Sequence, residues 1–408
     1  MIELNELLQQ IWPLANSHVL AAEEVPIQQA LGRVLAQAVH STLNVPQHDN
    51  SSMDGYAVNT ADFPSLKPFA VSQRIAAGHS PDALMPGTVA RIFTGAPIPK
   101  GANAVIMQEE AELEDGGLVS FKSAPSAGQW VRYAGEDIAE GQVVLAAGEV
   151  ITPFQIGLLA SIGIPTVRVF RRLKVGVLVT GSELVNPGQP LQAGQIYNSN
   201  EFVWVSMLQE MNVDVHSLGI VQDRLQDTAD ALQKLSDCDL VISSGGVSEG
   251  EEDHIKPAVE RVGQLRSWKV AAKPGKPMAF GHINRKDGGQ CWFFGMPGNP
   301  VSSAVTFLLV VRPFLAQLMG QHPERADWRP KVQKRKVGFE WLKPDSRREE
   351  FVRVKESHVG GPLQLFPNQS SGVLTSMNWA TGLARIPKGQ VILEGEEVDY
   401  LDFRELTA

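Results

Sequence analysis

Cysteine is scarce: Cys238 and Cys291 are the only two in 408 residues. Two are too few for a disulfide framework, and neither stands in a CxxC or Cys/His pattern of zinc type. A reducing compartment is expected, with the cytoplasm as the localisation. Basic charge is also short. The 36 Lys and Arg against 45 Asp and Glu leave a net charge of -9, which argues against nucleic acid as the main partner. The opening MIELNELLQQIWPLA has early acids and helical apolar spacing, not the basic region, apolar core and cleavage site of a targeting segment. No run approaches the roughly 20 apolar residues of a membrane span, so no membrane partner is expected. Internal repeats and low-complexity tracts are lacking. Neither GxxxxGK[ST] nor GxGxxG follows an expected strand, which removes the P-loop and the dinucleotide fingerprint.

What is present suffices for more than one core, since 43% of the residues are hydrophobic and 20% charged. Residues 1 to about 40 read as two amphipathic helices, the second opened by Pro26, where a missing amide is harmless. From Ser41 to about Gly135, short β-type runs are broken by Gly and Pro, as in RIFTGAPIPKGANAVIMQEE. A helix returns in PFQIGLLASIG, with Thr152 as its cap and Pro153 at its first position. Its character matches the opening helices, so the β-rich stretch reads as an insertion into a helical platform. From Leu173 to about Gly320 apolar strands alternate with helices, which implies a mainly parallel, three-layer sheet with ligands outside the carboxyl ends of the strands. From about Trp328, β-type runs such as EEFVRVKE, PLQLFP and EEVDYLDF form a small terminal domain.

Three glycine-rich loops fall at expected strand ends: VTGSELV, SSGGVSEGEED and GMPGNPVSS. Glycine lets the backbone approach a ligand, and amides at the next helix start can hold an anion. One such loop is usually only a turn, whereas three on one sheet edge favour a nucleotide or phosphate site. SWKVAAKPGKPMAFG sets Lys269, Lys273 and Lys276 near a segment that Pro274 and Pro277 hold extended. Surface lysines are commonly just solvated, but beside an acidic glycine-rich loop they offer fixed cations to an oxyanion. DNSSMDGYAV, with Asp54 before Gly55, reads by itself as a hairpin turn.

Taken in order, DNSSMDGYAV, TGAPIPKGANAVIMQEE, GEDI, VTGSEL, GQIYNSN, SSGGVSEGEED, KPGKPMAFG and GMPGNPVSS resemble one family over roughly residues 1 to 405. This is the MoeA-type molybdopterin molybdenumtransferases, or molybdenum insertases, also found as the insertase domain of gephyrin. The resemblance implies a multidomain α/β plus β fold: a helical dimerisation platform (1–40 and 138–171), an inserted β-rich domain (41–137), a MogA-like molybdopterin-binding α/β domain (172–322) and a C-terminal β-barrel (323–408). It implies a homodimer whose clefts lie between the α/β domain of one subunit and the inserted domain of the other. The implied reaction joins molybdate to adenylylated molybdopterin, with Mg²⁺ as cofactor, and yields molybdenum cofactor and AMP. The molybdopterin adenylyltransferase and molybdoenzyme apoproteins are the further partners it suggests.

Carried over residue by residue, the resemblance implies catalytic positions at Asp54, Thr94, Asp137, Glu183, Asp223, Asp253, Lys269 and Lys273. Substrate contacts fall at Arg132, Gly245, Gly246, Ser248, Lys276, Pro297, Pro300, Arg353 and Ser371, the last two at a molybdate contact. Asp253 and Glu251 are the expected Mg²⁺ ligands, while Glu249 and Glu252 read as solvated. Carboxylates beside a phosphate repel it only without an intervening cation, and a bound Mg²⁺ inverts that logic. The chain departs from the usual pattern at Asn198, Glu249 and His254, and the basic cluster before GEDI is reduced to Arg132. Two other readings remain. One is a molybdopterin adenylyltransferase or nucleotide pyrophosphate hydrolase, which would lack MDGYAV and the terminal β domain. The other is a gephyrin-like scaffold without turnover.

Overall fold

The computed structural model describes residues 1–15, 20–63, 67–245, 254–321 and 331–407. Helix α1 (Leu4–Ala15) buries Leu4, Leu7, Leu8, Ile11 and Ala15, the single face that helical spacing dictates. That face packs into the largest core, with Phe280, Phe294 and Phe314. The first helix therefore completes the α/β core.

The second expected helix, from Pro26, is absent. Ala22–Pro26 is a strand paired antiparallel with Thr166–Phe170, and only Ile27–Gln29 turns, as a 3-10 segment. Val25, Ile27, Ala30 and Leu35 still reach one core, with Leu159, Val167 and Val169. Strand pairing and the left-handed Gly32 (φ 71°) override a helical apolar pattern, as tertiary contacts commonly do. Helix α2 (Pro153–Ser161) forms as expected. Thr152 accepts Gln155 N, Gln155 Oε1 accepts Thr152 N, and Pro153 opens the helix, a capping box that satisfies free amides.

The inserted segment forms a six-stranded sheet of β1 (Gly55–Val58), β2 (Phe69–Ile75), β3 (Thr88–Ile92), β4 (Ala104–Met107), β5 (Ala111–Leu113) and β6 (Leu118–Phe121). Their spatial order is β4-β1-β3-β2-β6-β5. Its faces carry two small cores, one around Tyr56, Phe69 and Phe121, the other around Ile75, Leu84 and Ile92.

The α/β sheet contains β7 (Lys174–Thr180), β8 (Asp214–Val221), β9 (Leu240–Ser244), β10 (Gly263–Lys269), β11 (Pro277–Asn284) and β12 (Gln290–Met296), in the order β8-β7-β9-β12-β11-β10. Strands β8, β7, β9 and β12 pair in parallel, while β11 is antiparallel to both β12 and β10, which matches the mainly parallel expectation. Helices α3 (Asn200–Glu210), α4 (Leu225–Lys234) and α5 (Ile255–Val262) follow strands β7, β8 and β9.

After β12, one helix runs from Pro300 to Leu318, with a π-helical stretch at Phe307–Val311. By length and composition it could cross a membrane, which corrects the expectation that no apolar run nears that size. It is 89% buried inside the protein, packed with the sheet, α1 and the terminal domain.

The terminal strands are β13 (Val332–Lys336), β14 (Glu349–Glu356), β15 (Leu363–Leu365), β16 (Gly382–Ile386) and β17 (Glu397–Asp402). They pair in the order β14-β16-β17-β13, and the edge of β14 opposite β16 carries β15 at one end and the short strand Ala272–Lys273 at the other. A single bridge from Val337 to Leu363 brings the end of β13 back to β15.

Candidate functional site

Two groups of side chains stand out, one at a corner of the inserted sheet and one at the carboxyl edge of the α/β sheet. At the corner, residues 49–54 run between the turn at 94–98 and the segment 130–137. Ser51 N donates to Ala96 O (2.9 Å) and Gly95 N to Ser51 O (2.8 Å). On the other side Ser52 N donates to Trp130 O (3.0 Å), and Arg132 pairs with Asn50 in a two-residue ladder. Asp49 Oδ1 accepts Ala134 N at 2.8 Å. Sequence reasoning passed over Asp49, although it is the first letter of DNSSMDGYAV.

Asp54 Oδ1 accepts both Thr94 N and Thr94 Oγ1 at 2.8 Å. These bonds, the backbone one foremost, hold the Asp54 carboxyl below its usual range, and the Arg91 charge adds to them against a modest effect of burial. Asp54 is thus a fixed, ionised acceptor. Asp137 and Arg132 are exposed on the adjoining loop, where Asp137 N is bonded to Val45 O (3.0 Å). A cleft of ≈ 640 Å³ runs beside the corner, with His48, Asn50, His79, Gly95 and Lys100 in its lining.

The sheet edge is built by register. Thr180 lies opposite Val221, Val179 opposite Ser244, and Ser244 opposite Met296. The next residues therefore leave the sheet side by side, and with them go Glu183, Asp223, Gly245 and the turn Pro297–Pro300. Glu183 folds back over Gly181, where a Cβ would come within 2.7 Å of its Oε2. Gly245 has φ 81° and sits so near Thr180 that a Cβ would meet Thr180 O at 2.9 Å; only glycine fits there. Buried Asn200 donates Nδ2 to Gly298 O at 2.7 Å, which pins the GMPGNP turn. Asn198 spends its amide on Glu201. The expectations for Gly246, Ser248, Glu251 and Asp253 concern residues outside those described. Among the described residues, no three His, Cys, Asp or Glu are grouped to hold a metal ion.

The lysine loop and the terminal domain close on this edge. Gly275 abuts the helix from Pro300, since a Cβ there would lie 2.6 Å from Thr306 Oγ1. Lys269 and Lys276 are exposed. Lys273 is not the uncommitted cation that the motif suggests. Its Nζ donates to Glu350 Oε1 at 2.8 Å, and Glu350, 2% exposed, also accepts Trp341 Nε1 (2.8 Å) and Asp345 N (2.9 Å). Glu350 is legible only as an acid inside a strand pattern, EEFVRV, without a hint of its partner.

Ser371 O accepts Val301 N at 3.0 Å, which joins the terminal domain to the first turn of the helix. Arg353 is 1% exposed, so its expected direct substrate contact is corrected by its burial. It donates Nε to Ser376 Oγ (3.1 Å) and Nη2 to Ser370 O (3.3 Å), while Gln369 brackets its backbone. These partners are neutral, and burial pulls the guanidinium down to about 10, still charged at neutral pH. Arg353 shapes the Ser370–Ser371 turn from within.

Three family models match along the chain. They are the MoeA N-terminal region (domains I and II) over residues 2–163, a probable molybdopterin binding domain over 176–317, and the MoeA C-terminal region (domain IV) over 340–403. A molybdopterin molybdenumtransferase of Haemophilus influenzae is 45% identical over 301 residues, 73% of each chain. A molybdopterin molybdenumtransferase 2 of Mycobacterium tuberculosis is 35% identical over 394 residues, 93% of this chain and 94% of that one. A crystal structure described as a molybdopterin biosynthesis MoeA protein of Pyrococcus horikoshii superposes with a TM-score of 0.80 at 30% identity, over 97% of this chain and 98% of the other.

Proposed function

The chain belongs to the MoeA family of molybdopterin molybdenumtransferases, and from that premise we propose that it inserts molybdate into adenylylated molybdopterin with release of AMP. The observation that carries this reading is the convergence at the sheet edge. Glu183, Asp223, Gly245 and the Pro297–Pro300 turn leave neighbouring strands together, and Lys276 and Ser371 stand beside them. Glycine backbone admits a bulky ligand, and lysine ammonium groups and a donating serine hydroxyl suit its phosphate and molybdate oxygens. Holding both substrates together supplies much of the acceleration.

Mg²⁺ is the proposed cofactor; when bound, it would neutralise phosphate oxygens. The donor chemistry fits, because Mg²⁺ needs only one or two carboxylates besides substrate oxygens. Glu183 and Asp223 are carboxylates at the edge, and Asp253, the family-matched position, and Glu251, its helper, are the expected ligands. Asp54, ionised and fixed by Thr94, is suited to hold a fixed negative charge and to orient a donor group of the substrate by accepting its hydrogen bond.

A homodimer in the cytoplasm is part of the same proposal, with the Asp54 corner of one subunit facing the sheet edge of the other. Two observations support it: corner and edge belong to different hydrophobic cores, and Phe154 on α2 is 91% exposed. The molybdopterin adenylyltransferase and molybdoenzyme apoproteins remain the proposed donors and acceptors. A bare adenylyltransferase is disfavoured by the matches outside residues 176–317.

The test is incubation with adenylylated molybdopterin, molybdate and Mg²⁺, reading AMP release and activation of a molybdoenzyme apoprotein. Both should depend on molybdate, and Asp253→Asn should abolish Mg²⁺-dependent AMP release in a folded protein. Full activity of that variant overturns the Asp253 assignment. No turnover at saturating Mg²⁺ and molybdate overturns the enzyme reading in favour of a scaffold.

A further inference from the structure

The inserted sheet places two arginines in a position that none of the matched motifs explains. Arg74 of β2 and Arg91 of β3 are direct partners in a parallel ladder. Like charges opposite each other on neighbouring strands repel, and among the described residues neither arginine is ion-paired. Both guanidinium carbons lie over one ring, that of Phe93, at 4.5 Å for Arg74 and 4.8 Å for Arg91. Arg91 also lies over Tyr56 at 5.1 Å.

Arg91 donates Nη1 to Gly55 O (2.9 Å) and Nη2 to Gln108 Oε1 (2.5 Å). These acceptors are neutral, so its charge is oriented but not cancelled. Arg74 is exposed, and its guanidinium donates to none of the described residues. The pair adjoins the Asp54 corner directly: Gly55 follows Asp54, Phe93 precedes Thr94, and Gln108 N donates to Asp54 O at 3.0 Å. The nearby carboxylates are Asp54, whose ionised form is partly balanced by the Arg91 charge and is hydrogen-bonded by Thr94, and Glu109, bonded by Gln108 Nε2 (3.2 Å); neither is within ion-pair distance of Arg74 or Arg91. Two guanidinium forks thus share one aromatic platform, with donors to spare, in a protein of net charge -9.

We propose that Arg74 and Arg91 form a binding site for a tetrahedral oxyanion beside Asp54, either a phosphoryl group of the substrate or molybdate. Guanidinium forks match the oxygens of such groups bidentately, and a bound dianion would remove the repulsion between the two arginines. Arg74 is the specificity-bearing member, since Arg91 is partly spent on holding Gly55 and Gln108. The site's place in the reaction rests on the reading that the Asp54 corner lines the transferase cleft, while its binding chemistry does not.

The experiment is calorimetric titration of the full chain with inorganic pyrophosphate and, separately, with molybdate, in a phosphate-free buffer of fixed ionic strength. Arg74→Gln should weaken one of these probes about tenfold and Arg74→Asp should abolish it, whereas Lys67→Gln, another surface cation stacked on a ring of this sheet, should leave it unchanged. Thermal unfolding should show Arg74→Gln at least as stable as the parent, because it relieves the like-charge contact. Loss of pyrophosphate alone assigns the site to the substrate's phosphate link, and loss of molybdate alone assigns it to the metal oxyanion. Parental affinity for both probes in Arg74→Gln and Arg74→Asp overturns the proposal. Turnover of Asp54→Asn tests the underlying reading separately: full activity would remove the corner from the cleft while leaving the oxyanion result standing.

Discussion

At the corner of the inserted sheet, side chains are placed by bonds that short motifs carry within themselves or to one partner loop, as Asp54 is by Thr94 and the 130–137 loop is by Asp49. At the α/β edge, Glu183, Asp223 and Gly245 are delivered by the register of parallel strands, and glycine makes the room. The corner is therefore sensitive to single hydrogen bonds. The edge is sensitive to backbone geometry and to whatever holds the lysine loop against it.

The largest effect expected from breaking this contrast is at Gly55, where a Cβ would stand 1.9 Å from Ile106 O. Gly55→Ala should cost more than about 3 kcal/mol or prevent folding of the inserted sheet, as read by denaturant unfolding. Gly245→Ala, with a positive φ and a 2.9 Å approach, should cost about 2 kcal/mol and lose activity through the altered loop.

Next in size is the Lys273–Glu350 pair. Lys273→Met leaves a buried carboxylate without its cation and should destabilise by about 2–3 kcal/mol, below the full cost of a deeply buried pair because Lys273 is half exposed. Adding Glu350→Gln should return part of that stability, a coupling that a double-mutant cycle measures. Lys276→Met should leave stability unchanged and lower turnover. If Lys273→Met and Lys276→Met behave alike, the division between a structural and a substrate-facing lysine is wrong.

The smallest effect is electrostatic. Asp54 has a depressed folded-state pKa, so its contribution to stability is present above the unfolded carboxyl pKa and is lost as pH falls through the lowered folded value. Thr94→Val removes one of the two stabilising bonds. It should raise the Asp54 pKa and move the acid limb of activity to higher pH, with little change in stability near neutrality. A ¹³C NMR titration of the carboxyl carbon checks the direction, and an unmoved titration would show that the Thr94 hydroxyl does not tune Asp54.

Much of this organisation was legible in the residues. Alternation of apolar strands with helices announced the parallel sheet, and the glycine loops marked its carboxyl edge. Thr152 and Pro153 announced α2 down to its cap. The helix read from Pro26 failed because its apolar spacing serves an irregular segment packed around Gly32, a choice made by contacts with residues 166–170. Likewise KPGKP looks the same whether its lysines face a ligand or a buried acid. The pairing of Lys273 with Glu350 is set by a ladder between segments 77 residues apart. Burial of Arg353 and the opposition of Arg74 to Arg91 are also products of register.

The central claim is that the Asp54 corner and the Glu183 edge act in one reaction and come from two chains. Mixing Asp54→Asn protein with Glu183→Gln protein under subunit exchange, then assaying molybdate-dependent AMP release, tests it most directly. Each variant alone should be nearly inactive, and an equal mixture should recover about a quarter of wild-type activity, because half the dimers then carry one intact site of two. A mixture no more active than its parents would contradict the account.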